Sequence, residues 1–269
     1  MNKGRTNRIS GGQLMCLLMM TRLATLMLSR SMSFILLLVE LAVSATLSLA
    51  VYLLDRTGME VHKKPVIFAL SVPLLALLFL DGRDYFIFTK TVSHTDVPIW
   101  LIMALFVVFS LYAGLLGTEA VARFSALGLI VVLLFIIVAI HTNLKAFRAD
   151  FLAVLPRSKI TALPLLRCAD VPLFYLLLAP RTADKKGRAL LVGNAVPYAL
   201  FALVILMCRA VMGKTAEIYR APVFALYQLG EIGTFTKLDI LYVCAVLVLL
   251  LSETALAVSI ILGERRLKK

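Results

Sequence analysis

The sequence predicts an all-α protein, a polytopic membrane bundle of about eight helices. Two observations carry this. The chain is 61% hydrophobic and 16% charged, against about 45–50% apolar and about 25% charged residues in a soluble domain. Its apolar residues also fall in membrane-length runs. From Val97 to Thr118 no side chain is charged, nor from Phe124 to Ile140, and only Glu119 and Arg123 lie between. Lipid offers no hydrogen-bond partners, so a spanning segment has to satisfy its own backbone, as a helix does. A continuous string of such helices makes residues 1–269 a single integral membrane domain.

Segment 1 covers 11–28, is rich in methionine and contains Arg22. Lys3, Arg5 and Arg8 before it imitate a signal peptide, but Arg22 interrupts the apolar core and no small-x-small site follows, so an uncleaved first helix is expected. Ser29-Arg30-Ser31 makes a tight turn into segment 2 (32–54), which is broken only by Glu40. Segment 3 (65–91) carries Pro73 and meets Asp81-Gly-Arg83-Asp84; it reads as one long helix, or alternatively as one ending at Leu80. Segments 4 (97–117) and 5 (119–140) form a hairpin, with Gly114 and Gly117 suited to its turn and Glu119 and Arg123 spaced to pair on one helix face.

Residues 141–163 read as an amphipathic connection. Segment 6 (162–180) packs Pro164, Arg167, Asp170 and Pro172 into a short length. That is too polar and too proline-rich for a plain spanning helix, and a discontinuous one is expected, its unwound backbone lining a cavity. Segment 7 is 189–208. The polar stretch 209–237, with Pro222, suggests a re-entrant or surface helix, and segment 8 (240–263) contains Glu253. Lys and Arg gather before segment 1, in the 55–64 and 181–188 loops and after segment 8, which puts both termini on the cytoplasmic side.

The formal net charge is +13. Because the basic residues lie in short loops between apolar runs, they set topology and meet anionic lipid headgroups rather than nucleic acid. Cys16, Cys168, Cys208 and Cys244 show no CxxC spacing and no neighbouring histidine, which reads as unreactive thiols and no metal site. With all three histidines in loops, and no P-loop, HExxH or GxSxG, the sequence shows no catalytic constellation and asks for no cofactor.

Ionisable groups at membrane depth are costly, so each is a candidate for function. Arg22 lies nine residues before Ser31 and Glu40 nine after it. At about 1.5 Å of rise per residue, two antiparallel helices would hold them at matching depth, and they are expected to pair. Arg167 and Asp170 share a face at i and i+3. Arg22, Glu40, Asp81, Arg83, Asp84, Arg167 and Asp170 thus make a layer in the outer half of the bundle. It reads either as a polar vestibule or as ion pairs that fix helix packing without a ligand. Glu253 lies deeper, and an interhelical hydrogen bond is its expected role.

Several short motifs resemble one family. They are Ile9-Ser10-Gly11-Gly12-Gln13-Leu14, Arg83-Asp84-Tyr85, Asp96-Val97-Pro98-Ile99-Trp100, the set Tyr112, Gly117, Glu119, Ala122 and Arg123, then Leu155-Pro156, Pro222-Val223 and Lys237-Leu238-Asp239. They resemble the endospore germination permeases, the GerAB-type B subunits of nutrient germinant receptors, in the amino acid–polyamine–organocation (APC) transporter superfamily. The resemblance implies a LeuT-like bundle with helices 1 and 6 broken, and a ligand pocket between them flanked by helices 3 and 8. Thr21, Ala24, Thr25, Leu77, Asp81, Asp170, Pro172 and Tyr175 are then its lining candidates. It implies a small nutrient such as an amino acid as ligand, A and C receptor subunits as partners, and the inner membrane of the spore as location. The family usually has ten helices, so this chain looks C-terminally short. Arg22 also stands where the family tends to have small residues. An amino acid permease, or an assembly partner that binds no ligand, remain the other readings.

Overall fold

Local signals in the sequence start and stop the helices. In the computed structural model, which describes residues 9–28, 33–57, 64–92, 98–153, 162–182, 186–217, 219, 221–232, 235–236 and 238–266, α1 (Gly11–Met27) begins at a capping box. The Ser10 hydroxyl accepts from the Gln13 amide at 3.2 Å, and the Gln13 side chain accepts from the Ser10 amide at 2.9 Å. The Ile9 amide donates to the Arg181 carbonyl, 3.0 Å away, tying the start of α1 to the end of segment 6. From Leu17 to Met27 every residue of α1 is buried. A helix buried on all sides is the core of its bundle, and its last turn is held where the Tyr242 hydroxyl donates to the Met27 carbonyl at 2.6 Å.

The α2 helix (Phe34–Arg56) buries Glu40, Ser44 and Ser48, and exposes Ile35, Leu38, Leu49 and Leu53. Polar inside and apolar outside reverses the soluble pattern and suits a helix whose outer face meets lipid. Segment 3 is one helix, α3 (Lys64–Val92), running straight through Asp81 to Asp84. The hairpin is α4 (Ile99–Leu115) and α5 (Thr118–Asn143). Gly117 joins them at φ 99°, a left-handed conformation that glycine adopts without cost. Gly114 serves packing rather than the turn, because a Cβ there would clash with Val258.

Segment 6 is discontinuous: α6 (Ala162–Arg167) and α7 (Asp170–Leu178) are separated by a turn at Cys168 and Ala169. Segment 1, by contrast, is one continuous helix to Met27 where a break was expected. Its residues after Gly12 are good helix formers, with neither glycine nor proline among them.

The remaining elements are α8 (Lys186–Met212), α9 (Pro222–Leu229), a two-residue antiparallel ladder of β1 (Glu231–Ile232) with β2 (Phe235–Thr236), and α10 (Asp239–Arg266). The 141–163 connection contains two short 3-10 turns, Leu144–Ala146 and Ala149–Ala153, while Leu155-Pro156 lies outside the described residues. The predicted re-entrant or surface helix is α9. It is buried, held by the Asn143 amide donating to the Leu226 carbonyl at 3.0 Å and by ring contacts among Phe88, Phe224, Tyr227 and Tyr242.

Among the described residues, four helices are long and apolar enough to cross a membrane: Phe34–Arg56, Thr118–Ala146, Lys186–Ala216 and Asp239–Leu262. Gly11–Met27 and Trp100–Leu115 are shorter apolar helices. The protein is an all-α membrane bundle. Its α1 packs against α5, α7, α8 and α10, whereas α2 packs against α7 and α8.

Candidate functional site

A helix break leaves backbone carbonyls without intrahelical partners, and buried carbonyls need one. At the α6–α7 break Arg22 supplies it. One guanidinium nitrogen donates to the Arg167 carbonyl at 3.3 Å, and another to the Cys168 carbonyl at 3.1 Å and the Ser44 hydroxyl at 2.9 Å. The same side chain lies 2.5 Å from an Asp170 carboxylate oxygen and over the Tyr198 ring, 5.2 Å from its centre. Arg22 and Asp170 are each 1% exposed, so the pair is sealed from solvent. Asp170 opens α7 and accepts from the Val171 amide at 2.5 Å, an acid placed at a helix N-terminus. Its other oxygen accepts from the Thr25 hydroxyl at 2.9 Å.

The Arg22–Glu40 pair expected from matching depth does not form. Matching depth pairs two residues only where their helices are packed neighbours, but α7 and α8 are the main neighbours of α2, and Arg22 reaches Asp170 instead. Glu40 remains buried on α2 nearby, and its carbonyl accepts from the Cys168 thiol at 3.4 Å. Arg167 and Asp170 do not share a helix face either, because the break falls between them. Arg167 turns to α3, 2.7 Å from Asp84 and 3.4 Å from Asp81, and donates to the Leu80 carbonyl at 3.3 Å. Arg83 is half exposed and pairs with Asp84 at 3.1 Å.

Of the lining candidates, Thr25 and Asp170 meet directly, and Asp81 lies in the second pair. The Thr21 hydroxyl donates within its own helix, to Leu17 at 3.0 Å. Ala24, Leu77 and Pro172 are buried around the layer. The Tyr175 hydroxyl is directed elsewhere, donating to Asp55 at the far end of α2 (3.1 Å). Glu119 and Arg123 pair 2.5 Å apart on the exposed edge of α5, away from the layer.

Sequence reasoning missed a polar track beside the charges. The Ser44 hydroxyl donates to Asn194 at 2.8 Å, the Asn194 amide donates to Ser48 at 3.3 Å, and the Cys168 thiol lies 3.7 Å from the Tyr198 hydroxyl. The signal was present, since Glu40, Ser44 and Ser48 recur every four residues on one face of α2. Glu253 also departs from expectation. It is fully buried on α10, and among the described residues neither carboxylate oxygen has a hydrogen-bond partner. The charged groups acting on it are Asp81, Asp170, Arg167 and Arg22. A buried carboxylate with no partner is costly.

The model of a family described as spore germination protein (Spore_permease) matches residues 33–265. No curated protein matches the chain.

Proposed function

The chain belongs to the spore germination protein family, and on that premise we propose that it is the membrane subunit of a nutrient germinant receptor. In this reading it binds a small nutrient such as an amino acid at the α6–α7 break and signals germination through A and C subunits in the inner membrane of the spore, both termini on the core side. The observation that supports it most is the α6–α7 break itself, where carbonyls without intrahelical partners, the guanidinium that caps them and carboxylates converge in a sealed layer. An amino acid carries both charges that this chemistry recognises. Its ammonium suits the break carbonyls, Asp170 and the unpartnered Glu253, and its carboxylate suits Arg22. To enter, it has to take partners from Arg22, which loosens α1 from α6 and α7. A ligand that stabilises the loosened arrangement shifts the population toward it, and that shift is a signal without transport.

The occupied state of the carbonyls favours a second reading, an assembly partner in which Arg22 permanently replaces a ligand. Deleting the gene and scoring germination against a nutrient panel separates the two. Loss of the response to one nutrient class supports the receptor, while normal germination under every condition refutes it. Uptake of radiolabelled amino acids into proteoliposomes would identify a permease instead.

A further inference from the structure

Between α2 and α8 lies a cavity of about 990 Å³, basic at one end. Arg56, which ends α2, and Lys186 and Arg188, in the first turn of α8, stand at its mouth. Leu41, Leu49 and Leu191 line its length. Asp55 is also at the mouth, where it accepts the Tyr175 hydroxyl, so the three basic groups leave a positive excess. The Arg56 guanidinium is held 5.9 Å from the centre of the Tyr52 ring. Gly187 lets that ring lie against α8, since a Cβ there would come within 2.7 Å of it.

We propose that this cavity binds an anionic phospholipid drawn from the surrounding bilayer, its phosphate among Arg56, Lys186 and Arg188 and one acyl chain along α2 and α8. Two features of the cavity select that occupant. Its walls run from Leu41 to Arg56, about 22 Å at about 1.5 Å per residue, which exceeds the roughly 15 Å of hydrocarbon in one leaflet of a bilayer about 30 Å thick. A basic mouth above an apolar wall between spanning helices matches a headgroup and its chain, whereas a soluble anion would leave the wall unused. The far wall also touches the charge layer. Asn194 lines the cavity and accepts from Ser44, which in turn accepts from Arg22.

The test uses the purified full chain, delipidated in detergent, with binding measured by native mass spectrometry and by lipid titration. Phosphatidylglycerol is expected to bind at least about tenfold more tightly than phosphatidylcholine, with glycerol phosphate failing to displace it. Replacing two basic residues, R56Q with R188Q, should weaken phosphatidylglycerol binding about twenty-fivefold, at roughly fivefold per charge. Ala45→Trp, at an exposed lining position, leaves the charges in place and should block the chain, lowering affinity at least about tenfold. Equal affinity for phosphatidylcholine would overturn the proposal, as would full displacement by glycerol phosphate, or either variant binding phosphatidylglycerol like the wild type.

Discussion

Asp170→Asn tests the buried pair that closes the α6–α7 break. The substitution keeps the shape and the Thr25 hydrogen bond but removes the charge facing Arg22 at 2.5 Å. Arg22 then keeps two carbonyls, a hydroxyl and the Tyr198 ring as contacts, with Glu40 as the nearby buried carboxylate. Removing one partner of a buried ion pair costs about 3–5 kcal/mol, most of it the stranded charge. The three retained hydrogen bonds and the ring contact should hold the loss to the lower end, about 3 kcal/mol. Unfolding in mixed micelles by titration with sodium dodecyl sulfate measures it. Adding Arg22→Gln to Asp170→Asn removes the stranded charge, so the double variant should lose less than the sum of the single losses, by at least about 1 kcal/mol. A loss under about 0.5 kcal/mol for Asp170→Asn, or strict additivity in the cycle, would refute the claim that this pair holds the break.

The second pair predicts an asymmetry on α3. Arg167→Gln strands Asp81, leaves Asp84 with Arg83 alone and should destabilise by about 3 kcal/mol, while Arg83→Gln, at a half-exposed residue, should cost under about 1 kcal/mol in the same assay. Glu253→Leu removes an unpartnered buried carboxylate and should raise stability by about 1–3 kcal/mol; a clear loss would mean that Glu253 is satisfied by a group the described residues do not contain. Gly117→Ala places a side chain at φ 99° and should cost about 1–2 kcal/mol, whereas Glu119→Ala at the exposed pair beside it should cost no more than about 0.5 kcal/mol.

Much of the bundle was legible because lipid-spanning helices announce themselves by run length. The single helix through Asp81, the hairpin at Gly117 and the discontinuity in segment 6 follow from local chemistry: no proline between Pro73 and Thr91, a glycine at the turn, and two prolines flanking Arg167 and Asp170. The charges at membrane depth were also visible as a group. Their partners were not, because pairing depends on which helices are neighbours, and periodicity carries no such information. Arg22 illustrates this. Its depth was matched to Glu40, yet its partner lies on a helix far along the chain. Arg22 also fills the role that a break in α1 would otherwise share, satisfying the carbonyls of α6 from an unbroken helix.

The account rests on the α6–α7 break as the nutrient site, and equilibrium binding of an amino acid panel to the purified full chain in nanodiscs tests it most directly, with wild type beside Thr25→Val. Thr25 donates to Asp170 at 2.9 Å, and valine keeps its shape without the hydroxyl. The account predicts saturable binding of at least one amino acid, weakened about fivefold or more by Thr25→Val, since a hydrogen bond to a charged group is worth about 1.5–3 kcal/mol and part of that is retained. No saturable binding by any amino acid, or binding that Thr25→Val leaves unchanged, would contradict it.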